Sequence, residues 1–144
     1  MGAAADYSSR MKRSLVLVLI AAAAVVTSSG SAMPSSGGTS PVAVLKAEAV
    51  YLNASNWRPY YGLMGPRFHA KCTYSTFVAR NSAVRQLFER ASIKMISSRV
   101  QGSRAYLTYE TIAPPVKPFV TRGDLFVKIG SRWYDELDPV TTCS

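Results

Sequence analysis

Apolar positions along this chain change their period once, near residue 91, from a helical spacing to a two-residue alternation. Ser40-Pro41 offers an N-cap followed by a first-turn proline, and Val42, Leu45, Ala49 and Leu52 then recur on one helical stripe. Lys46 and Glu48 fall elsewhere on that wheel, and the pattern predicts a first helix running to about Asn53. Asn53-Ala54-Ser55-Asn56 is a polar elbow that supplies a stop and a fresh N-cap before Trp57. A second, aromatic helix is expected over Trp57–Met64, with Pro59 tolerated in its first turn and Gly65-Pro66 ending it. Thr73 would cap a third helix from Tyr74 to Arg90, with Phe77, Val84, Leu87, Phe88 and Ala91 as its stripe and Arg80, Arg85 and Arg90 off it.

From Ser92 onward the pattern is that of strands. Ile93–Val100 alternates imperfectly, and Gln101-Gly102-Ser103 turns the chain. Arg104–Ile112 sets Ala105, Leu107 and Tyr109 against Tyr106, Thr108 and Glu110. The run Ala113–Pro118 holds three prolines and is read as excluded from any strand interior. Phe119–Ile129 resumes the alternation, Gly130-Ser131 makes a two-residue turn, and Arg132–Leu137 closes the series. Helices followed by an antiparallel meander define an α+β domain.

Ahead of this domain, Arg10, Lys12 and Arg13 precede an uncharged apolar run, Ser14–Val26, and a small-residue segment ending at Ala32. That order is the pattern of a secretory signal peptide over residues 1–32. Its 13 residues fall short of the roughly 20 a spanning helix needs, which leaves an uncleaved anchor as the alternative. Residues 33–41 read as a flexible linker and 42–144 as the domain. The expected location is therefore secreted or at the cell envelope.

Export changes what charge and cysteines mean. Without residues 1–32, the 17 Lys+Arg fall to 14 and the 8 Asp+Glu to 7, a net charge of +7. An anionic envelope surface suits that balance, but the basic residues are spread singly along the chain, so most are read as a solvated surface and nucleic acid is not expected. Two cysteines in an oxidising compartment predict a Cys72–Cys143 disulfide. Two cysteines and the single His69 make an incomplete zinc set, so neither a metal nor a cofactor is expected.

The order Leu-Asn-x-x-x-Trp, Tyr-Tyr-x-Leu-Met-Gly-Pro-Arg-Phe, Cys, Tyr-x-x-Phe and Gly-x-Arg-Trp-Tyr before a final Cys, over about Pro41–Ser144, resembles exported actinobacterial-type members of the nuclear transport factor 2-like (SnoaL-like) superfamily. The resemblance implies a cone-shaped, strongly curved antiparallel sheet packed on N-terminal helices, with an apolar pocket at its wide end. It also implies a homodimer through the convex side of the sheet, as in many relatives. On it, Tyr51, Tyr60, Tyr61, Met64, Tyr109, Phe126 and Trp133 would line the pocket; read from composition alone, these aromatics serve equally as core. The superfamily includes isomerases, dehydratases and polyketide cyclases beside domains of no known activity, so function rests on the site.

Acid–base chemistry needs a carboxylate or histidine moved toward neutral pKa by burial, and the candidates are Asp124, Glu110 and His69. Arg122 and Asp124 stand two apart, as a charge pair would, while Asp135, Glu136 and Asp138 read as a solvated C-terminal cap. No His–Asp or Tyr–Asp combination maps onto the catalytic members. The expected function is an exported, non-catalytic domain that binds a small apolar ligand or a partner protein; the alternative is an isomerase, dehydratase or cyclase using an acid–base residue in the pocket.

Overall fold

The helices begin where the caps predict. In a computed structural model, which describes residues 37–136 and residue 143, α1 spans Pro41–Asn53. Ser40 caps it, its Oγ accepting from the Ala43 amide at 3.1 Å. The buried face is Pro41, Val44, Leu45 and Glu48, an i, i+3, i+4, i+7 set. Of the predicted stripe only Leu45 lies on it; Val42, Ala49 and Leu52 flank it half-buried.

Helix α2 is a short piece, Trp57–Tyr61, and not a helix to Met64. Pro66 ends nothing; it opens a further short helix, α3 (Pro66–His69), because a proline is suited to a first turn. Thr73 caps α4 (Tyr74–Arg85), its Oγ1 accepting from the Thr76 amide at 3.3 Å. This helix stops at Arg85, short of Arg90. There the Arg85 guanidinium donates to the Phe88 carbonyl at 2.7 Å and to the Asn53 carbonyl at 3.3 Å, turning the chain back toward α1. Its stripe is only partly buried: Phe77, Phe88 and Ala91 are inside, whereas Val84 is 46% and Leu87 62% exposed.

Four strands follow, β1 (Ser92–Gln101), β2 (Arg104–Ala113), β3 (Val116–Ile129) and β4 (Arg132–Asp135), in an antiparallel sheet of order β1-β2-β3-β4. The sheet is open, since β1 and β4 are its ends. The proline run is a tight connection: Ala113 pairs with Val116 across Pro114-Pro115, and β3 starts at once. Pro118 is tolerated in β3 because β4 pairs only with Phe126–Ile129, so the Pro118 end of β3 has no strand on that side among the described residues. Register shifts interrupt β1 between Met95 and Ser97 and the β2–β3 ladder between Leu107 and Tyr109. In the second, Gly123 has φ +66° and donates its amide to Thr108 Oγ1 at 3.2 Å.

Strand β4 is flanked along its second edge. Gly38 exchanges two backbone hydrogen bonds of 2.9 Å with Trp133, so the end of the predicted linker is tied down. Beyond it, the Asp135 amide donates to the Leu63 carbonyl at 2.9 Å and the Gly65 amide to the Asp135 carbonyl at 2.7 Å. One buried cluster joins Val44 and Leu45 of α1 with Tyr61, Leu63, Met64, Phe68 and Phe77, and with Ala105, Leu107, Phe126 and Trp133 of the sheet. A Cys72–Cys143 disulfide, with Cα atoms 5.5 Å apart, borders that cluster. No described helix is long and apolar enough to cross a membrane, and the predicted signal segment, residues 1–32, lies outside the described residues.

Candidate functional site

Between α1 and the first two strands lies a pocket of about 130 Å³. α1 contributes Leu45, Glu48, Ala49 and Leu52, which one helix face presents at successive turns. Ile93 comes from β1, Tyr109 and Thr111 from the inward face of β2, Tyr60 from α2, and Ala91 from the bend before β1. Every one of these except Glu48, Thr111 and the two tyrosine hydroxyls is apolar.

Asn53, the last residue of α1, bonds to the backbone of the lining residue Ala91. Its Nδ2 donates to the Ala91 carbonyl at 2.8 Å and its Oδ1 accepts from the Ala91 amide at 2.7 Å. The elbow asparagine therefore joins α1 to the start of the sheet, a role its position in sequence does not announce.

The polar feature of the pocket is Glu48. It is 8% exposed, and among the described residues its Oε1 has no hydrogen-bond partner. Burial is the main cause that holds its pKa well above the ordinary carboxylate value; the charges of Asp135 and Asp124 and a hydrogen bond with Asp135 act in the same direction. Asp135 is itself 2% exposed. Asp124 is raised by burial, opposed by the Tyr109 hydroxyl, which donates to its Oδ2 at 2.8 Å, and by the Leu125 amide. Burial first, then Asp124, raises the Tyr109 phenol, and burial first, then Glu48, raises that of Tyr60; both stay neutral.

The predicted acid–base residues separate. Asp124 joins the buried acids through Tyr109, and takes that hydroxyl in place of Arg122, because Gly123 breaks the strand alternation between them. Glu110 faces the opposite side of β2, 3.9 Å from Lys94. His69 sits at the end of α3, its Nε2 2.8 Å from the Tyr61 carbonyl and its ring 4.4 Å from the Tyr61 ring. Of the seven residues expected in the pocket, Tyr60 and Tyr109 line it. Tyr61, Met64, Phe126 and Trp133 belong to the buried cluster, and Tyr51 packs half-buried against it.

Glu48 reads as lying off the apolar stripe and Asp135 as part of a solvated cap, and both are inside. A signal existed for both. Glu48 completes the i+7 position of the Pro41, Val44, Leu45 face, and Asp135 is two residues from buried Trp133 on a strand, hence on the same side. Glu136 is half-buried beside Arg67, and Asp138 lies outside the described residues. Among the described residues, no group of three or more His, Cys, Asp or Glu is arranged to hold a metal ion.

No protein-family model matches the chain, and no curated protein matches it. The fold is similar to the solution structure of a SEC-C motif containing protein from Rhodopseudomonas palustris, at 16% identity and a TM-score of 0.53, over 68% of this chain and 76% of that one. That likeness concerns the fold alone. It corrects the resemblance to the nuclear transport factor 2-like superfamily: the structural neighbour is a SEC-C motif protein, and the loose motifs that suggested the superfamily do not carry the assignment.

Proposed function

We propose that this domain is an exported small-molecule-binding module, whose ligand is compact, largely apolar and carries one polar atom. The single observation that supports it most is Glu48, a carboxyl group placed by α1 in an otherwise apolar pocket with an oxygen left unpartnered among the described residues. An unsatisfied buried polar atom costs about 1–3 kcal/mol, and a ligand that meets it recovers part of that cost. Size argues in the same direction, because a cavity of about 150 Å³ holds a molecule such as benzene. Export is supported by the basic, apolar and small-residue order of residues 1–32, and by a disulfide that persists in an oxidising compartment. Curvature of the sheet round α1 is favoured by the register shifts in β1 and β2–β3.

A second reading rests on one specific observation. Burial raises the Glu48 carboxyl well above its ordinary pKa inside the pocket, and an isomerase or dehydratase draws its acid or base from a buried group of this kind.

A thermal-shift survey of small molecules bearing one hydroxyl, carbonyl or amine tests the binding reading. Binders should raise the melting temperature of the wild-type protein and not that of Ala49→Trp, whose indole fills the pocket. Equal shifts in both proteins, or none in either, would remove the pocket from consideration. N-terminal sequencing of protein recovered outside its host cells should begin near residue 33.

A further inference from the structure

We propose that the outer face of the sheet docks on an anionic phospholipid surface, through basic side chains that strand alternation gathers there. The pocket takes no part in this, and its own test is separate.

Successive residues of a strand point to opposite faces, and the ladders fix which. Ala105, Leu107, Phe126 and Trp133 face inward in the buried cluster, and Ile93, Tyr109 and Thr111 face inward at the pocket. Val44 and Leu45 of α1, Tyr61 of α2, Phe68 of α3 and Phe77 of α4 join that cluster, so the helices lie on the inward side. The alternate residues face outward in register. Lys94 stands beside Glu110 and Val120, Arg99 beside Tyr106 and Leu125, and Gln101 beside Arg104, Val127 and Tyr134. Arg122 shares this face because it follows Thr121, the partner of inward Tyr109. Arg132 shares it because it precedes inward Trp133.

Bases spread singly along the sequence, at positions 94, 99, 104, 122 and 132, therefore meet on one face. Glu110 is the single acid among them, 3.9 Å from Lys94. Asp124 and Asp135 fall on the inward side, opposite Leu107 and Phe126. A surface of that composition is complementary to an anion. A second copy of the chain would bring the same charges against it, and like charges oppose such a contact.

The uncharged residues decide which anion. Val120, two residues from Arg122, is 41% exposed, and Ile129, opposite Arg132, is 46% exposed. Aliphatic side chains among bases bury apolar area at a headgroup boundary, where a soluble polyanion would leave them in water. A nucleic-acid strand would instead stack its bases on open aromatic rings. Here the Arg99 guanidinium already lies 5.3 Å from the centroid of the Tyr106 ring.

Co-sedimentation of the full chain with vesicles of mixed phosphatidylglycerol and phosphatidylcholine tests this. Arg104 and Arg122 are exposed. Replacing both, as Arg104→Gln with Arg122→Gln, should weaken partition onto the vesicles by about 10- to 30-fold, the effect of two bases at an anionic surface. Lys46→Gln with Arg80→Gln removes equal charge from exposed positions on α1 and α4 and should weaken it by less than about 3-fold. Residues 1–32 are the same in both pairs, so the comparison reads the sheet face. Should the first pair lower the melting temperature, Arg104→Gln alone, expected to weaken partition by about 5-fold, replaces it. Val120→Ser should weaken vesicle binding and leave binding of soluble polyphosphate unchanged. Equal losses from the two pairs, or no loss from either, would overturn the docking face. Polyphosphate bound more tightly than vesicles, with no effect of Val120→Ser, would overturn the lipid in favour of a soluble polyanion. A dimer in solution that Val120→Asp dissociates would give the face to a second copy and overturn the proposal.

Discussion

Glu48 sets the chemistry of the domain at the scale of single residues. Its carboxyl is protonated in the fold to higher pH than in the unfolded chain, whose value is near 4.5. The folded state therefore binds more protons than the unfolded one. Its contribution to stability is fully present below about pH 4.5 and is lost as pH rises toward the raised folded value. Glu48→Gln cannot ionise, so its melting temperature should gain on that of the wild type as pH is raised from 5 to 8. A difference of order 1 kcal/mol corresponds to about 4–8 °C in a domain of this size. A difference that stays constant across that range would show that Glu48 is already ionised in the fold. Asn53 is the second residue with a defined task. Asn53→Ala removes both bonds to the Ala91 backbone and should cost about 1–3 kcal/mol in urea unfolding. An unchanged urea midpoint would mean that water replaces both bonds.

Among the elements, helices and strands differ in how much of them the sequence disclosed. The bounds of α1 coincide with the cap signals because Ser40 and Pro41 act locally, through atoms a few residues away. The end of α4 depended on Arg85 reaching the Asn53 carbonyl, 32 positions earlier, and no periodicity within residues 74–90 encodes that. Two-residue turns at Gly102-Ser103 and Gly130-Ser131 were legible, since a positive φ at Gly102 and Gly130 is a local demand. The residues before α1 read as linker, yet they pair with β4. Gly37 is packed so closely that a Cβ there would lie 2.6 Å from the Trp133 carbonyl oxygen. Gly37→Ala should accordingly destabilise the domain by about 1–3 kcal/mol. Deletion of residues up to 36 should not, if pairing begins at Gly38. Proteolysis rates of the two variants separate these effects.

For the molecule as a whole, the disulfide is the longest covalent constraint, closing 71 positions of chain. On the chain-entropy account, its loss should lower unfolding free energy by about 4 kcal/mol. Urea unfolding with and without reductant measures this, and a shift below about 1 kcal/mol would mean that residue 143 adds little beyond what packing around Phe68 and Phe77 already fixes. The pocket belongs to the same scale. It exists because α1 lies beside β1 and β2, and its acids gather from α1, β3 and β4.

Sequence by itself determined the succession of helices and antiparallel strands, the caps, the hairpin turns and the pairing of two cysteines. Each follows from local stereochemistry or from having no other partner of its kind. Tertiary structure decided which tyrosines meet the pocket, that Glu48 and Asp135 lie inside, and that Asp124 binds Tyr109 in preference to Arg122. It also decided the likeness of fold, where an order of loose motifs pointed elsewhere. The physical reason is common to these cases. Burial and hydrogen bonding depend on neighbours brought from tens of positions away, and a carboxylate on a helix shows the same letter in the sequence whether it faces water or a packed interior.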